Sequence, residues 1–551
     1  MKKLIIYILL PVFMLAACEL EEVIYDKYTP QTVFNSEQTF RAFLIGTYQY
    51  INDQRGYKSR ALQLPQLSHD LTLSRNNYSW ADNTAILTNA SEAVRDPWAM
   101  YYHMIDAANI IEFEAPGVPM NEELKTEYIA HAYFLRGFAY YELFRRHGGV
   151  PIKLEPTNDL SAIHTPRSSA SEVLDQAISD LKRASAGLPL YSEQVVTDRG
   201  LATKGAAQAL LAQAYLYADE YNTCIAYCDS IINSNVYTLL TDFGDLWDTD
   251  NELPNGKAYQ EVIFGVQMMV DDRNPAFYIA QGSELNWFVH NNDAGTNQGT
   301  GNNQFGITRQ GWSEGNTGVH TGDYRSDNIF WGYNVPNRAN ATNNIRTWPD
   351  PNPWNGLREN AGPYLRKYLS KQGSVSRNGE NDFYFVRYAE IFALKAEAYN
   401  ELGNLQEAMK NLNMLRERAR NADGTPRTSP EDINLAELDA IVADPMHKID
   451  NQKDAFKYAL ITEKAVEFVG EGVRMYDLRR IKLENGDPML KYILADYYPV
   501  KYSGPEYTGG AYGNKYNITF EYRERDLLWP IPDTEMLSNN AINAEDQNPG
   551  W

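Results

Sequence analysis

Between Phe385 and Ala419, small and apolar residues recur at Ala389, Ala393, Ala396, Tyr399 and Leu402, spacings of three and four that put them on one helical stripe. Gly403-Asn404 interrupts the pattern, and a second stripe follows at Leu405, Ala408, Met409, Leu412 and Leu415. The segment predicts two antiparallel helices joined by a tight turn, with alanines where the backbones approach. The spacing Ala396, Tyr399, Gly403, Ala408 also fits the helix-turn-helix unit of a tetratricopeptide repeat. The same offsets recur in AAQALLAQAYLYADEYNTCIAYCDSII at Ala212, Tyr215, Asp219 and Cys224; 399 − 215 and 408 − 224 both equal 184. A hairpin of this kind cannot bury its apolar face alone. Two copies so far apart predict a mainly α scaffold assembled from discontinuous segments.

The same period predicts helices over residues 36–51, with Phe40, Phe43, Leu44 and Tyr48 inward, and over WAMYYHMIDAANIIEFEA, where Trp98 shares a core face with Tyr102, Ile105 and Ala108. Leu124 to Arg146 reads as a long helix stopped by Gly148-Gly149-Val150-Pro151, and Ser169 to Glu172 fits a capping box. Residues 454–482 read as one further helix, 261–267 as a strand, and the C-terminal LLWPIPDTEMLSNNAINAEDQNPGW as an extended, turn-rich tail.

Two stretches lose the helical period. Asp70 to Asn89 is a polar, aromatic loop holding Arg75, Asn76, Asn77, Tyr78 and Trp80. Asp271 to Gly379 is dominated by Asn, Gly, Asp and Pro, and contains Trp287, Trp312, Tyr324, Trp331, Trp348 and Trp354. A span of that length reads as a loop-rich lobe inserted into the helical scaffold. The organisation expected is residues 35–270 for an N-terminal helical part, 271–379 for the lobe, and 380–551 for a C-terminal helical part with its tail.

Composition narrows the partners. Lys and Arg number 50 against 72 Asp and Glu, a net charge of −22, which repels nucleic acid and anionic surfaces. At the N-terminus, Lys2-Lys3, an apolar run from Leu4 to Leu15 and Leu15-Ala16-Ala17-Cys18 form a secretory signal with a lipobox. Residues 1–17 are then the signal peptide, Cys18 the lipidated N-terminus and 18–34 a tether, with the acyl chains holding the protein on a membrane. The other thiols, Cys224 and Cys228, lie four apart on a predicted helix without further Cys or His nearby, so they read as small core residues rather than metal ligands. No cofactor or metal site is expected.

Six segments in order, Leu15-Ala-Ala-Cys18, AYFLRGFAYYELFRRHGGVPI, GLATKGAAQALLAQAYLY, VRYAEIFALKAEAYNELG, EKAVEFVGEGVRMYDLRR and the tail ending Gln547-Asn-Pro-Gly-Trp551, resemble the SusD/RagB family of nutrient-binding outer-membrane lipoproteins. Lys464 stands where that family commonly has Arg, and Met475 where it commonly has an aromatic; both fall on scaffold. The acidic residues Glu19, Glu21 and Glu22 resemble a surface-export signal of Bacteroidetes lipoproteins. The resemblance implies a tetratricopeptide-like helical scaffold, exposure on the cell surface, a SusC-like TonB-dependent barrel as partner, and binding of a glycan or other nutrient without catalysis.

The residues themselves weigh the same way. A glycoside hydrolase needs two acids about 5 to 10 Å apart, a separation that sequence cannot place; no G-x-S-x-G, H-E-x-x-H or phosphate loop is present. Sugars present apolar C–H faces rimmed by hydroxyls, which call for flat aromatic rings edged by Asn, Asp, Arg or Gln. Arg75, Asn76, Asn77, Tyr78, Trp80, Trp287, Trp312, Tyr324, Trp331 and Trp354 supply that mixture. Each tryptophan could equally anchor its own loop. A surface hydrolase, a peptide-binding member of the same family and a helical adaptor that binds only its partner protein remain the alternative readings.

Overall fold

The structure, a computed structural model, describes residues 34–74, 87–157, 163–252, 256–268, 305–307, 323–325, 330–331, 364–365, 367–368, 381–421, 424–501, 503 and 521–551. Helix α1 (Glu37–Tyr48) opens at Ser36, whose hydroxyl accepts from the Thr39 amide. It is followed by α2 (Arg60–Leu67), the short strand β1 (Thr72–Ser74), α3 (Glu92–Glu114) and α4 (Glu122–His147). The Asn121 side chain caps α4, and Gly148 ends it. The expected capping box starts α5 (Ala170–Gly187): the Ser169 hydroxyl accepts from the Glu172 amide, and the Glu172 carboxylate accepts from the Ser169 amide at 2.8 Å. Trp98 is 4% exposed against Tyr102 and His147, the core position its stripe predicted.

Both predicted hairpins form. The first is α6 (Lys204–Tyr217) with α7 (Tyr221–Asn233); the second is α8 (Tyr388–Glu401) with α9 (Leu405–Arg420). Their turns superpose in kind: Asp219 at φ +56° and Gly403 at φ +76° occupy the left-handed region, and 403 − 219 is again 184. Ala212, Ala396, Ala408 and Cys224 are fully buried, as the repeat requires. Cys228 is buried beside Cys224 with both thiols free, and the Cys224 thiol is pushed up by its hydrogen bond to Cys228 and by burial. Leu402, placed on the apolar stripe by its spacing, is instead 44% exposed, because it is the C-cap residue where α8 gives way to the turn.

Helices α4 to α8 stack successively, so α7 packs directly on α8 although they are far apart in sequence. Strands β2 (Val262–Val266) and β6 (Phe383–Arg387) make the connection. They pair antiparallel from Val262↔Arg387 to Val266↔Phe383, with an irregularity around Phe264. Between them the chain makes β3 (Phe305–Ile307), β4 (Phe330–Trp331) and β5 (Tyr364–Leu365). The inward face of the β2–β6 pair meets α4 in an aromatic cluster of Phe134, Phe138, Phe264 and Phe385, with ring centroids 5.0 to 6.3 Å apart.

Residues 454–482 do not form one helix. They divide into α11 (Gln452–Glu467) and α12 (Arg474–Arg480), preceded by α10 (Leu435–Ala443). Gly470 and Gly472, at φ +81° and +76°, turn the chain where the apolar period alone would continue it. The tail is also less extended than predicted, with a short helix at Asp533–Ser538. Among the described residues, no helix is long and apolar enough to cross a membrane.

Candidate functional site

The two stretches without helical period are joined by a short β-ladder. Strand β1 ends at Ser74, immediately before Arg75, and pairs antiparallel with β3 through Thr72↔Ile307, Leu73↔Gly306 and Ser74↔Phe305. The start of the stretch 70–89 is therefore paired with a strand inside the segment 271–379, which itself leaves and rejoins the scaffold through β2 and β6. Strand β5 packs on β3 and pairs with β4, setting Trp331 opposite Tyr364.

The break between α11 and α12 supplies anchor points for both stretches. It frees main-chain carbonyls that a continuous helix would have used. The Glu467 carbonyl accepts from Lys367 Nζ at 2.7 Å and from Arg387 Nη2 at 3.2 Å, and the Gly470 carbonyl accepts from the Tyr368 hydroxyl at 2.6 Å and from the Gln66 amide. Ionic contacts follow the same geometry. Arg325 sits fully buried 2.6 Å from Asp323 and 3.0 Å from Glu467, and its Nη2 lies 2.6 Å from Glu463 Oε1 as a charge contact without hydrogen-bond alignment. Lys367 meets Glu471 at 2.6 Å, and Arg387, at the end of β6, bridges Glu261, Glu467 and Glu471 at 2.6 to 3.1 Å. Arg418 of α9 adds a further bond to Glu467.

Asp70 does the same for the stretch 70–89. Its carboxylate accepts from Arg474 Nε at 3.0 Å, from Arg474 Nη2 at 2.7 Å and from the Tyr498 hydroxyl at 2.6 Å, all in the interior. Both unpatterned stretches are thus fastened to residues 463–474.

The protonation states fit a fixed charged frame. Burial alone would raise Glu467, but the guanidinium groups of Arg418, Arg387 and Arg325 hold it below the usual carboxylate range. Burial likewise works against Asp70, and Arg474 with Tyr498 overcomes it. Burial pushes Lys367 down to about 8 and His69 to about 4, so His69 is neutral at physiological pH. Glu463, Glu467, Glu471, Arg474, Asp477, Arg479 and Arg480 read from the sequence as scaffold ion pairs; the first four are buried in this network, while Asp477 pairs with Lys464 at 2.6 Å and Arg480 with Glu397 at 2.9 Å. Sequence reasoning missed Arg325, Lys367 and Asp70; the available signal was a lone charge in an apolar strand, as Arg387 is in FYFVR.

Of the sequence-predicted ligand residues, Tyr324 is half-buried: its hydroxyl donates to Asp242, and Arg427 lies 4.5 Å over its ring. Trp331 is fixed in backbone position by β4. Arg75, Asn76, Asn77, Tyr78, Trp80, Trp287, Trp312 and Trp354, and Cys18, the lipidation site expected from the lipobox, lie outside the described residues. Among the described residues, no group of three or more His, Cys, Asp or Glu is arranged to hold a metal ion.

Comparison with known proteins covers nearly the whole chain. Residues 236–551 match the family model described as SusD family, and residues 20–216 match one described as starch-binding associating with outer membrane. SusD-like protein P2 of Formosa agariphila is 24% identical over 571 aligned positions, 99% of each chain. The crystal structure of a SusD homolog from Bacteroides thetaiotaomicron superposes with a TM-score of 0.76 at 20% identity, covering 95% of this chain and 98% of that one. A laminarin binding SusD-like protein superposes at 0.66 and 19% identity, covering 94% of this chain and 100% of its own.

Proposed function

The chain belongs to the SusD family, and from that premise we propose that it is a surface lipoprotein that binds an extracellular oligosaccharide and passes it to a SusC-like TonB-dependent transporter. The observation that supports this reading is the β1–β3 ladder, which joins the two stretches without helical period, both rich in aromatics and amides. Stacking of sugar rings on Tyr78, Trp80 and the tryptophans of 271–379 would then draw on residues from both sides of one small sheet. The buried frame under it supplies rigidity, which favours binding because little ordering remains to be done when the ligand arrives. A surface location is supported by the lipobox at Cys18 and by the outer-membrane association in the matched family description. Binding proceeds without turnover.

Calorimetry and affinity electrophoresis against host and plant glycans test the reading, paired with Trp80→Ala. The expected result is binding to one glycan class, without product, weakened about thirty-fold by the substitution, which corresponds to about 2 kcal/mol. Equal affinity in the variant removes Trp80 from the site. Release of shortened sugars replaces the reading with a hydrolase, and selective binding of peptides replaces the glycan with peptide cargo.

A further inference from the structure

A cavity of about 520 Å³ opens in the helical scaffold, where the end of α4, the α6–α7 turn, the end of α8 and the stretch after α12 converge. Its walls carry five cations, Arg145, Lys457, Arg479, Arg480 and Lys482, and four carboxylates, Asp219, Glu397, Glu401 and Glu484. Most of these cations are matched: Arg480 bonds Glu397 at 2.9 Å, Lys457 meets Glu401 at 3.2 Å, and Arg145 bonds Glu142. Among the three arginines Arg479 is the exception. It forms no ion pair with the described residues, and its buried Nε and Nη1 have no acceptor among them. The Arg145 Nε beside it and the Tyr476 hydroxyl behind it are also buried without an acceptor.

The arginine groups can only donate, and the Tyr476 hydroxyl can donate or accept. A buried N–H left without an acceptor costs about 1 to 3 kcal/mol, and more on a charged group. Burial pushes Arg479 down to about 10, which leaves it charged at neutral pH. The chain carries 72 acidic residues, yet none of the described ones forms an ion pair with this guanidinium, and Asp526 acts on it only from farther off. Packing explains part of the arrangement, because the guanidinium lies 4.3 Å over the Trp529 ring. Stacking fixes the plane of the guanidinium and leaves its N–H edges unspent, and those edges are what bind planar oxyanions in pairs. Tyr217 and Tyr221, with Leu483 and Leu528, give the same cavity apolar wall, and its volume suits one ring-sized molecule.

We propose that this cavity is a ligand site in its own right, taking a carboxylate- or sulfate-bearing molecule of about one sugar ring, with Arg479 as the anion anchor. It is independent of the glycan reading, since it uses none of the loop aromatics.

Calorimetry of the full chain in mild detergent, titrated with sodium glucuronate, sodium sulfate and glucose, tests it, with Arg479→Met and Arg479→Lys alongside. Glucuronate is expected to bind where glucose at equal concentration does not, and Arg479→Met to weaken it at least tenfold while the melting temperature stays level or rises. Sulfate binding as tightly as glucuronate makes the site one for the bare oxyanion; tighter glucuronate makes it one for a sugar acid. Arg479→Lys, which keeps the charge and the fold, should retain weakened binding and serves should the Met variant not fold. Absence of binding of either anion to the folded wild-type protein, or unchanged affinity in both variants, overturns the proposal.

Discussion

Arg325→Met tests whether the 271–379 segment is fastened to the scaffold by buried charge. Arg325 is fully buried and faces Asp323, Glu463 and Glu467 at 2.6 to 3.0 Å. Methionine fills much of the volume and removes the charge. Glu467 keeps Arg387 and Arg418, Glu463 keeps Arg416 at 2.8 Å, and Asp323 loses the guanidinium it meets at 2.6 Å. Breaking a buried pair by removing one partner costs about 3 to 5 kcal/mol, whereas removing both charges together costs far less. Arg325→Met should therefore lower stability by about 3 kcal/mol or more, and Asp323→Asn added to it should recover a good part. The assay is urea unfolding combined with native-state hydrogen exchange. Faster exchange should concentrate in residues 305–331 and 364–368, with the α6–α7 hairpin least affected. A loss below about 1 kcal/mol, the range of solvent-exposed pairs, or uniform loosening of hairpins and segment alike, would refute the reasoning.

Glu390 is 4% exposed and burial raises its carboxyl to about 7, with Lys464 only partly opposing. The folded state then holds a proton that the unfolded chain releases near its ordinary value of 4.5, so stability falls as pH rises from about 4.5 to about 7. Glu390→Gln should stabilise by about 2 to 3 kcal/mol at pH 8 and by little at pH 4.5; an equal difference at both pH values in denaturant titrations would show that burial is not the cause. Leu412→Ala, at a fully buried position of the second hairpin, should cost about 2 to 5 kcal/mol and leave glycan affinity of the remaining folded protein unchanged. Gly403→Ala should lose about 1 kcal/mol in the same unfolding assay, because φ +76° strains a residue with a Cβ even though the space is open.

The hairpins were legible because their burial repeats at the helical period over many residues, and the capping box because its chemistry is local. The α11–α12 break was not, since Val466, Val469 and Val473 continue the apolar period across Gly470 and Gly472. Helix α2 was not read either; it carries an internal Pro65, which argues against a helix in isolation. For the site, sequence located the two unpatterned stretches but not their meeting. Thr72 and Ile307 lie 235 residues apart (307 − 72), and strands of three residues carry no signature of their partner. The anchoring charges were hidden for a related reason: a carboxylate such as Glu467 looks like any surface acid until three guanidinium groups surround it.

The pairing of β2 with β6 bears on how the chain can change. The excursion from Val266 to Phe383 departs and returns through directly opposed residues, so the helical stack on either side sees a closed gate whatever lies beyond it. Loop-closure entropy grows only with the logarithm of length, about 0.6 kcal/mol for each doubling. Insertions, deletions or wholesale replacement of the sequence beyond that gate would therefore disturb the scaffold little, provided the few charges that latch it to residues 463–471 survive. The fold is in this respect a socket, in which recognition can be exchanged while the frame is inherited intact.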